Sequence, residues 1–353
     1  MYEHDNRTVM TLDAGGTNFV FSAIRGCKQV VAPIRLDAVT DSVARCLEVL
    51  TEGFNKVKEA LDEAPVAISF AFPGPADYKA GIIGDLPNFP CFRGGVPIGP
   101  YLAEQFKLPV FINNDGNLFA YGEALAGILP EMNTRLEGAG SSVRYKNLIG
   151  LTLGTGFGAG VVIDNVLLGG DNGCGGDVWL MRNVHYPDKI AEESVSIRAV
   201  KRVYAEASGD TRELTPKDIE QIAEGLAQGD RLAAIKAFKD MGVAIADALA
   251  HALDIVDGLV VLGGGISKAH KYIIPSIIES LRGWLQMDVV DLTTEEGMNA
   301  FLKDTAVELR VPGGDHTVLY HSEKKTGIAV TRIGTSEAVS IGAYTYALMQ
   351  LDK

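Results

Sequence analysis

The sequence is short of cysteine, of positive charge and of long apolar runs. Its four cysteines, Cys27, Cys46, Cys91 and Cys174, include no Cys-x-x-Cys pair, which excludes a thiol-based zinc or redox motif and a disulfide scaffold. Reduced, mostly buried thiols in a cytoplasmic protein are expected. Nowhere do roughly 18 apolar residues run together, and Met1 to Thr8 are polar, so neither a membrane span nor a signal core is expected. Acidic residues outnumber basic ones 45 to 32, giving a formal charge of −13. That balance repels phosphate backbones and anionic lipid surfaces, and no basic stripe offsets it, so no nucleic-acid or membrane partner is expected. Low-complexity tracts are absent.

What is present is an ordinary globular composition, 47% apolar over 353 residues, with 40 glycines. At about 100–200 residues per domain, the length favours two domains. Val9 to Leu12 reads as a strand, a Gly-Gly turn follows Asp13, and Phe19 to Ile24 returns as a second strand. Val43, Leu47, Leu50, Phe54, Val57 and Leu61 form a helical stripe. Val66 to Phe72 and Val110 to Ile112 are buried-type strands, and Leu118 to Ala126 is a helix. The same grammar restarts at Leu148 to Leu153, Gly154-Thr155-Gly156 and Ala159 to Ile163, and then at Gly258 to Leu262 followed by Gly263-Gly264-Gly265. A duplicated α/β chain is expected. Its domains are residues 1–127 plus 336–353, with a returning C-terminal helix, and 148–335; the polar residues 128–147 read as a linker or surface insertion.

Three glycine turns follow strands. Asp13-Ala14-Gly15-Gly16-Thr17-Asn18 sets a carboxylate at a strand end, then residues whose backbone N–H groups can approach an anion, then a hydroxyl. Asp13 suits Mg²⁺ held through water. Gly154-Thr155-Gly156-Phe157-Gly158 is the same kind of turn in the second half. The pair would clamp a nucleotide across a cleft, one cradle per domain. No Gly-Lys-Ser/Thr follows either, so neither is a Walker loop. Gly263 to Gly265, at a strand-to-helix step, suits the ribose or α-phosphate side. Taken singly, each turn also fits a hairpin or tight connection that uses glycine only for geometry.

Asn113-Asn114-Asp115-Gly116-Asn117 leaves a buried strand at its C-terminal end, where ligands collect in open α/β sheets. A carboxylate there can take the proton of a hydroxyl attacking a γ-phosphoryl group, with Asn114 orienting that hydroxyl. The competing reading is a helix cap; Asn117 is the better cap, which leaves Asp115 free. Asn88, Asp177 and Glu192 are further polyol-binding candidates, and each also suits a solvated loop.

Together, Asp13-Ala14-Gly15-Gly16-Thr17, Phe72-Pro73-Gly74-Pro75, Pro87-Asn88-Phe89-Pro90, Asn114-Asp115-Gly116-Asn117, Gly154-Thr155-Gly156-Phe157-Gly158 and Leu262-Gly263-Gly264-Gly265-Ile266-Ser267 resemble, in order, the ROK family of sugar kinases and repressors. The resemblance implies an actin/hexokinase-type fold of two ribonuclease-H-like domains with ATP and sugar in the cleft between them. It implies phosphorylation of a hexose or N-acetylated amino sugar, glucose by default, with Asp115 as base, and a homodimer. Gly74, Asn88, Asn114 and Asp115 match its sugar-binding positions, Asp13, Gly15, Gly16 and Thr17 its first phosphate turn, Gly154 to Gly156 its second, and Gly263 to Gly265 its adenosine side. The chain departs from the pattern where members carry Gly-Glu-x-Gly-His and a cysteine zinc loop: it reads Gly176-Asp177-Val178-Trp179-Leu180, and Met181 to Ala191 holds no cysteine. No structural zinc is expected. Glu192 still precedes Ser196 as the family's sugar-binding Glu precedes its Ser. These departures keep a degenerate sugar-binding protein as an alternative. The repressor alternative would need a DNA-binding segment, and the 12 residues before Asp13 are too few for one.

Overall fold

The run from Val9 becomes an inner strand because both of its faces find apolar cover, which explains its near-continuous rather than alternating hydrophobicity. In the computed structural model, which describes residues 2–14, 18–86 and 90–353, the elements follow in chain order. The first part comprises β1 (Val9–Ala14), β2 (Asn18–Arg25), β3 (Lys28–Gln29), β4 (Ile34–Asp37), α1 (Val43–Glu59), β5 (Ala67–Ala71), β6 (Ala76–Asp77), β7 (Ile82–Ile83), α2 (Ile98–Phe106), β8 (Val110–Asn113) and α3 (Asp115–Ala126). Next come α4 (Ile128–Gly138), β9 (Leu148–Leu153), β10 (Phe157–Ile163), β11 (Val166–Leu167), α5 (Ile197–Ser208), α6 (Pro216–Ala223), α7 (Arg231–Val256), β12 (Leu259–Gly263) and α8 (His270–Leu281). The chain closes with β13 (Asp288–Asp291), α9 (Glu295–Leu302), β14 (Ala306–Arg310), β15 (Thr317–His321), β16 (Lys325–Val330) and α10 (Thr335–Leu351).

Two sheets follow one plan. The first has the order β3-β2-β1-β5-β8 with β4 beside β2, the second β11-β10-β9-β12-β16-β13. In the first, β1 is antiparallel to β2 and parallel to β5, and β5 is parallel to β8. In the second, β9, β12, β16 and β13 are parallel. This is the duplicated α/β, actin/hexokinase-type fold. The chain divides into two compact units, Met1–Gly127 with Gly160–Gly176 and Ile333–Lys353, and Ile128–Ala159 with Asp177–Arg332.

In the first unit, Met10, Leu12, Phe21, Phe54, Phe70, Phe72 and Phe92 form one buried cluster. Phe21 meets Phe54 edge-on at 5.1 Å between centroids, and Phe72 stacks on Phe92 at 6.0 Å. Each such ring contributes about 1.5–3 kcal/mol by leaving water. Gly53 interrupts the apolar stripe of α1 because a Cβ there would strike the Phe21 ring. The other face of β1 packs Val9 against Ile341, Tyr344 and Leu348 of α10. Helices α3 and α10 touch backbone to backbone, since a Cβ on Gly342 would collide with the Leu118 carbonyl and one on Gly122 with that of Ala338.

Three expectations change. Residues 128–138 are helical rather than linker: Ile128, Leu129, Met132 and Leu136 are buried, and the Asn133 amide ties the helix to the backbone of Tyr145 by two bonds of 2.8 Å. Residues Gly160–Gly176 group with the first unit. Of the four thiols only Cys46 is buried, Cys27 and Cys91 are half-buried, and Cys174 is exposed. Burial pushes the Cys27 thiol up to about 11 and that of Cys46 to about 12, which holds both as neutral thiols. Among the described residues no helix is long and apolar enough to cross a membrane.

Candidate active site

Sheet register gathers the candidate residues of the first unit at one edge. Asp13 pairs with Ala71, and Ala71 with Asn113, so the C-terminal ends of β1, β5 and β8 lie in one row. Gly74 follows β5, and Asn114 and Asp115 follow β8. Parallel strands end here, and the connections that leave them carry polar side chains free of ladder duty.

Helix α3 starts at Asp115, three residues before the apolar run at Leu118, and this corrects the cap assignment. Asn114 is the N-cap: its Oδ1 accepts the Gly116 N–H at 2.8 Å. Its amide NH₂ makes no hydrogen bond among the described residues. Asn117 is instead buried, its Nδ2 donating to Asn113 Oδ1 at 3.0 Å, while Asn113 Oδ1 also accepts the Asn114 N–H at 2.8 Å. The buried Asn117 Oδ1 has no hydrogen-bond partner among the described residues.

Asp115 therefore stands on the first turn of a helix, with its own Oδ1 accepting the Gly116 N–H at 2.9 Å. Solvent reaches the side chain, yet surrounding protein displaces enough water to raise its pKa above the ordinary carboxylate value; hydrogen bonds from the Gly116 and Asp115 backbone oppose the shift, and the charge of Asp13 adds to it. Asp13 is raised too, by desolvation, with Arg35 pulling the other way. Neither acid has an ion-pair partner among the described residues. Gly15, Gly16, Thr17 and Asn88 lie outside the described residues. Asn18 opens β2.

In the second unit, β9 ends at Leu153 and β10 begins at Phe157, so Gly154, Thr155 and Gly156 make the connecting turn. Gly264 has φ +84°, and a Cβ on it would strike the Leu153 backbone, which brings the Gly263 to Gly265 turn against the end of β9. Space beside Gly154 and Gly265 is open. The step after Gly264 is a 3-10 turn, Gly265–Ala269, and α8 begins only at His270, so this turn does not lie on an α-helix start as the spacing suggested.

Glu192 meets the first of these turns. Its Oε2 accepts the Phe157 N–H at 3.1 Å and its Oε1 the Arg198 guanidinium at 3.0 Å. Arg198 also binds Glu193 at 2.7 Å and holds that carboxyl below its usual range. Asp177 is exposed, precedes the short turn Val178–Leu180, and makes no side-chain hydrogen bond among the described residues; Leu180 is 50% exposed. The segment that follows is organised by Asn183, which motif reading passed over because a lone asparagine carries no spacing signal. Among the described residues, no group of three or more His, Cys, Asp or Glu side chains is placed to hold a metal ion.

A family model described as "ROK family" matches residues 9–294. The chain is 58% identical to a crystal structure of a glucokinase from Parabacteroides distasonis, with 99% of each chain covered and a TM-score of 0.93. It is 28% identical over 304 residues to a glucokinase of Thermotoga maritima, covering 79% of this chain and 88% of that one. It also shares its fold with a ROK glucokinase from Streptomyces griseus solved with glucose and AMPPNP, at 18% identity, a TM-score of 0.61 and 96% and 98% coverage. The chain belongs to the ROK family.

Proposed function

We propose that this protein is an ATP- and Mg²⁺-dependent sugar kinase that transfers the γ-phosphoryl group of ATP to a hydroxyl of a hexose, glucose first among candidates. The observation that carries the reading is Asp115: a carboxylate without an ion-pair partner among the described residues, raised in pKa, at the end of a parallel strand and on the first turn of α3. Likeness to the Parabacteroides distasonis glucokinase supports it. A base of raised pKa accepts a proton more readily than an ordinary carboxylate.

Each residue then has a task. Asp115 accepts the proton of the attacking sugar hydroxyl. Asn114, its Oδ1 committed to the cap, would donate through Nδ2 to that or a neighbouring hydroxyl, and Gly74, Asn88, Asp177 and Glu192 are further proposed sugar ligands. Asp13, an exposed carboxylate at the β1 end, fits Mg²⁺ held through water, which would neutralise charge on the phosphates. Gly15, Gly16, Thr17 and Asn18 of the first unit, and Gly154, Thr155, Gly156 and Gly263 to Gly265 of the second, are each proposed as nucleotide-binding residues. The open backbone at Gly154 and Gly265 suits close approach of phosphate and ribose.

Coupled ADP release across a panel of glucose, mannose, fructose, allose and N-acetylated amino sugars tests this. Sugar-stimulated ADP with Mg²⁺ is the expected result. A pure protein that binds ATP and sugar yet releases no ADP with any of them overturns it and leaves a binding protein.

A further inference from the structure

We infer that Asn183 is the positioning residue for Glu192, and that sugar affinity depends on this buried amide although it touches no sugar. The inference rests on the kinase reading above, in which Glu192 is a sugar ligand. Asn183 is 1% exposed. An amide so deeply buried must satisfy both its acceptor and its donors, and Asn183 does so within a single loop. Its Oδ1 accepts the backbone N–H of His185 at 2.9 Å and of Tyr186 at 3.1 Å, which folds the chain back on itself. Its Nδ2 donates to the Ile190 carbonyl at 2.9 Å, and its amide meets the Ser194 hydroxyl at 2.9 and 3.0 Å.

Those last partners explain the assignment. Ile190 and Ser194 flank the short turn Ala191–Glu193 that carries Glu192. One side chain thus fixes both ends of the turn. Backbone bonds from Asn183 N–H to Lys189 O at 3.1 Å and from Ala191 N–H to Met181 O at 2.7 Å close the loop alongside it. The loop is anchored outward as well: the His185 ring pairs with the Asp240 carbonyl of α7 at 2.8 Å, and Arg202 lies over the Tyr186 ring at 5.2 Å while bonding the Glu193 carbonyl at 2.8 Å. Glu192 then reaches the Phe157 N–H from a turn that is hydrogen-bonded at both ends. Hydrogen bonds in a low-dielectric interior support one another, so removing the hub releases several together.

The test compares Asn183→Ala with Asn183→Asp and Ser194→Ala. Asn183→Ala should raise the KM for sugar by about tenfold or more, the scale of a small misplacement of a binding group, and weaken sugar binding in calorimetry by a like factor, with the KM for ATP within about twofold of wild type. Asn183→Asp keeps the acceptor for His185 and Tyr186 but loses the donor to Ile190, so it should fall between. Ser194→Ala, which removes one arm, should show the smallest rise. If Asn183→Ala does not fold, the other two decide. Sugar KM and sugar affinity unchanged in the folded variants, with only the melting temperature lowered, overturn the inference and leave a structural asparagine. Absence of sugar phosphorylation by the wild-type protein would instead count against the kinase reading.

Discussion

The acids at the strand ends of the first unit and those beside the glycine turn of the second live under opposite conditions. Asp13 and Asp115 form no ion pair among the described residues, and desolvation raises both, against a weaker opposing pull of Arg35 on Asp13. Glu192 and Glu193 share Arg198, which lowers Glu193 and is itself raised by the pair. An unpaired, desolvated carboxylate is held at a cost in folding and is ready to take a proton or a cation. A paired one is fixed in place and suits holding something else. On the proposed function, the difference is what would be expected if proton chemistry belonged to the first edge and positioning to the second.

The largest effect expected from breaking this contrast is at Asp115. Asp115→Asn should lower kcat by about 10²–10⁴-fold, with nucleotide binding by calorimetry kept. The same substitution should slightly raise the melting temperature at neutral pH. The sign follows from linkage: a carboxyl whose folded pKa exceeds its unfolded value of about 3.9 binds its proton more tightly in the native state, so stability is lost as pH rises through that window. Asparagine carries no such loss. The gain should vanish below about pH 4, where both states hold the proton; a variant less stable than wild type at pH 7 would show that the carboxylate is structural.

Gly342→Ala comes next. It forces a Cβ into the Leu118 carbonyl and should cost about 1–3 kcal/mol in denaturant unfolding as α3 and α10 part. If α3 moves, Asp115 moves with it, so kcat should fall along with stability. Arg198→Ala is the smallest: loss of a partly exposed ion-pair network should cost at most about 1 kcal/mol. Here the pH dependence runs the other way, because Glu193, lowered in the native state, adds stability above its unfolded pKa that disappears as pH falls. The Arg198→Ala penalty should therefore shrink in acid, as a melting series in pH will show.

Much of this was legible in the residues. Strand–turn–strand repeats placed Asp13, Gly154 and Gly263 at strand ends, and the apolar stripe of α1 was read to within two residues at either end. The start of α3 was not legible from hydrophobicity, because every residue from Gly116 to Leu125 is buried and such a helix has no polar face to set its phase. Asn114 as cap, rather than Asn117, follows from that. Helix α4 hid behind its polar residues, although Leu129, Met132 and Leu136 are spaced for one face. Helix α6 carried a signal that went unused, Thr215-Pro216 with Asp218 three residues after the cap, and it forms a capping box. The Asn183 hub was beyond reach of sequence reading, since its partners are mostly backbone groups that meet only when the loop has closed.

The assignment of proton chemistry to Asp115 is tested most directly by sugar-dependent ADP release from Asp115→Asn at saturating ATP, Mg²⁺ and glucose. The expected result is turnover lowered by about 10²–10⁴-fold beside a nucleotide affinity unchanged from wild type. Turnover within a few fold of wild type would contradict it.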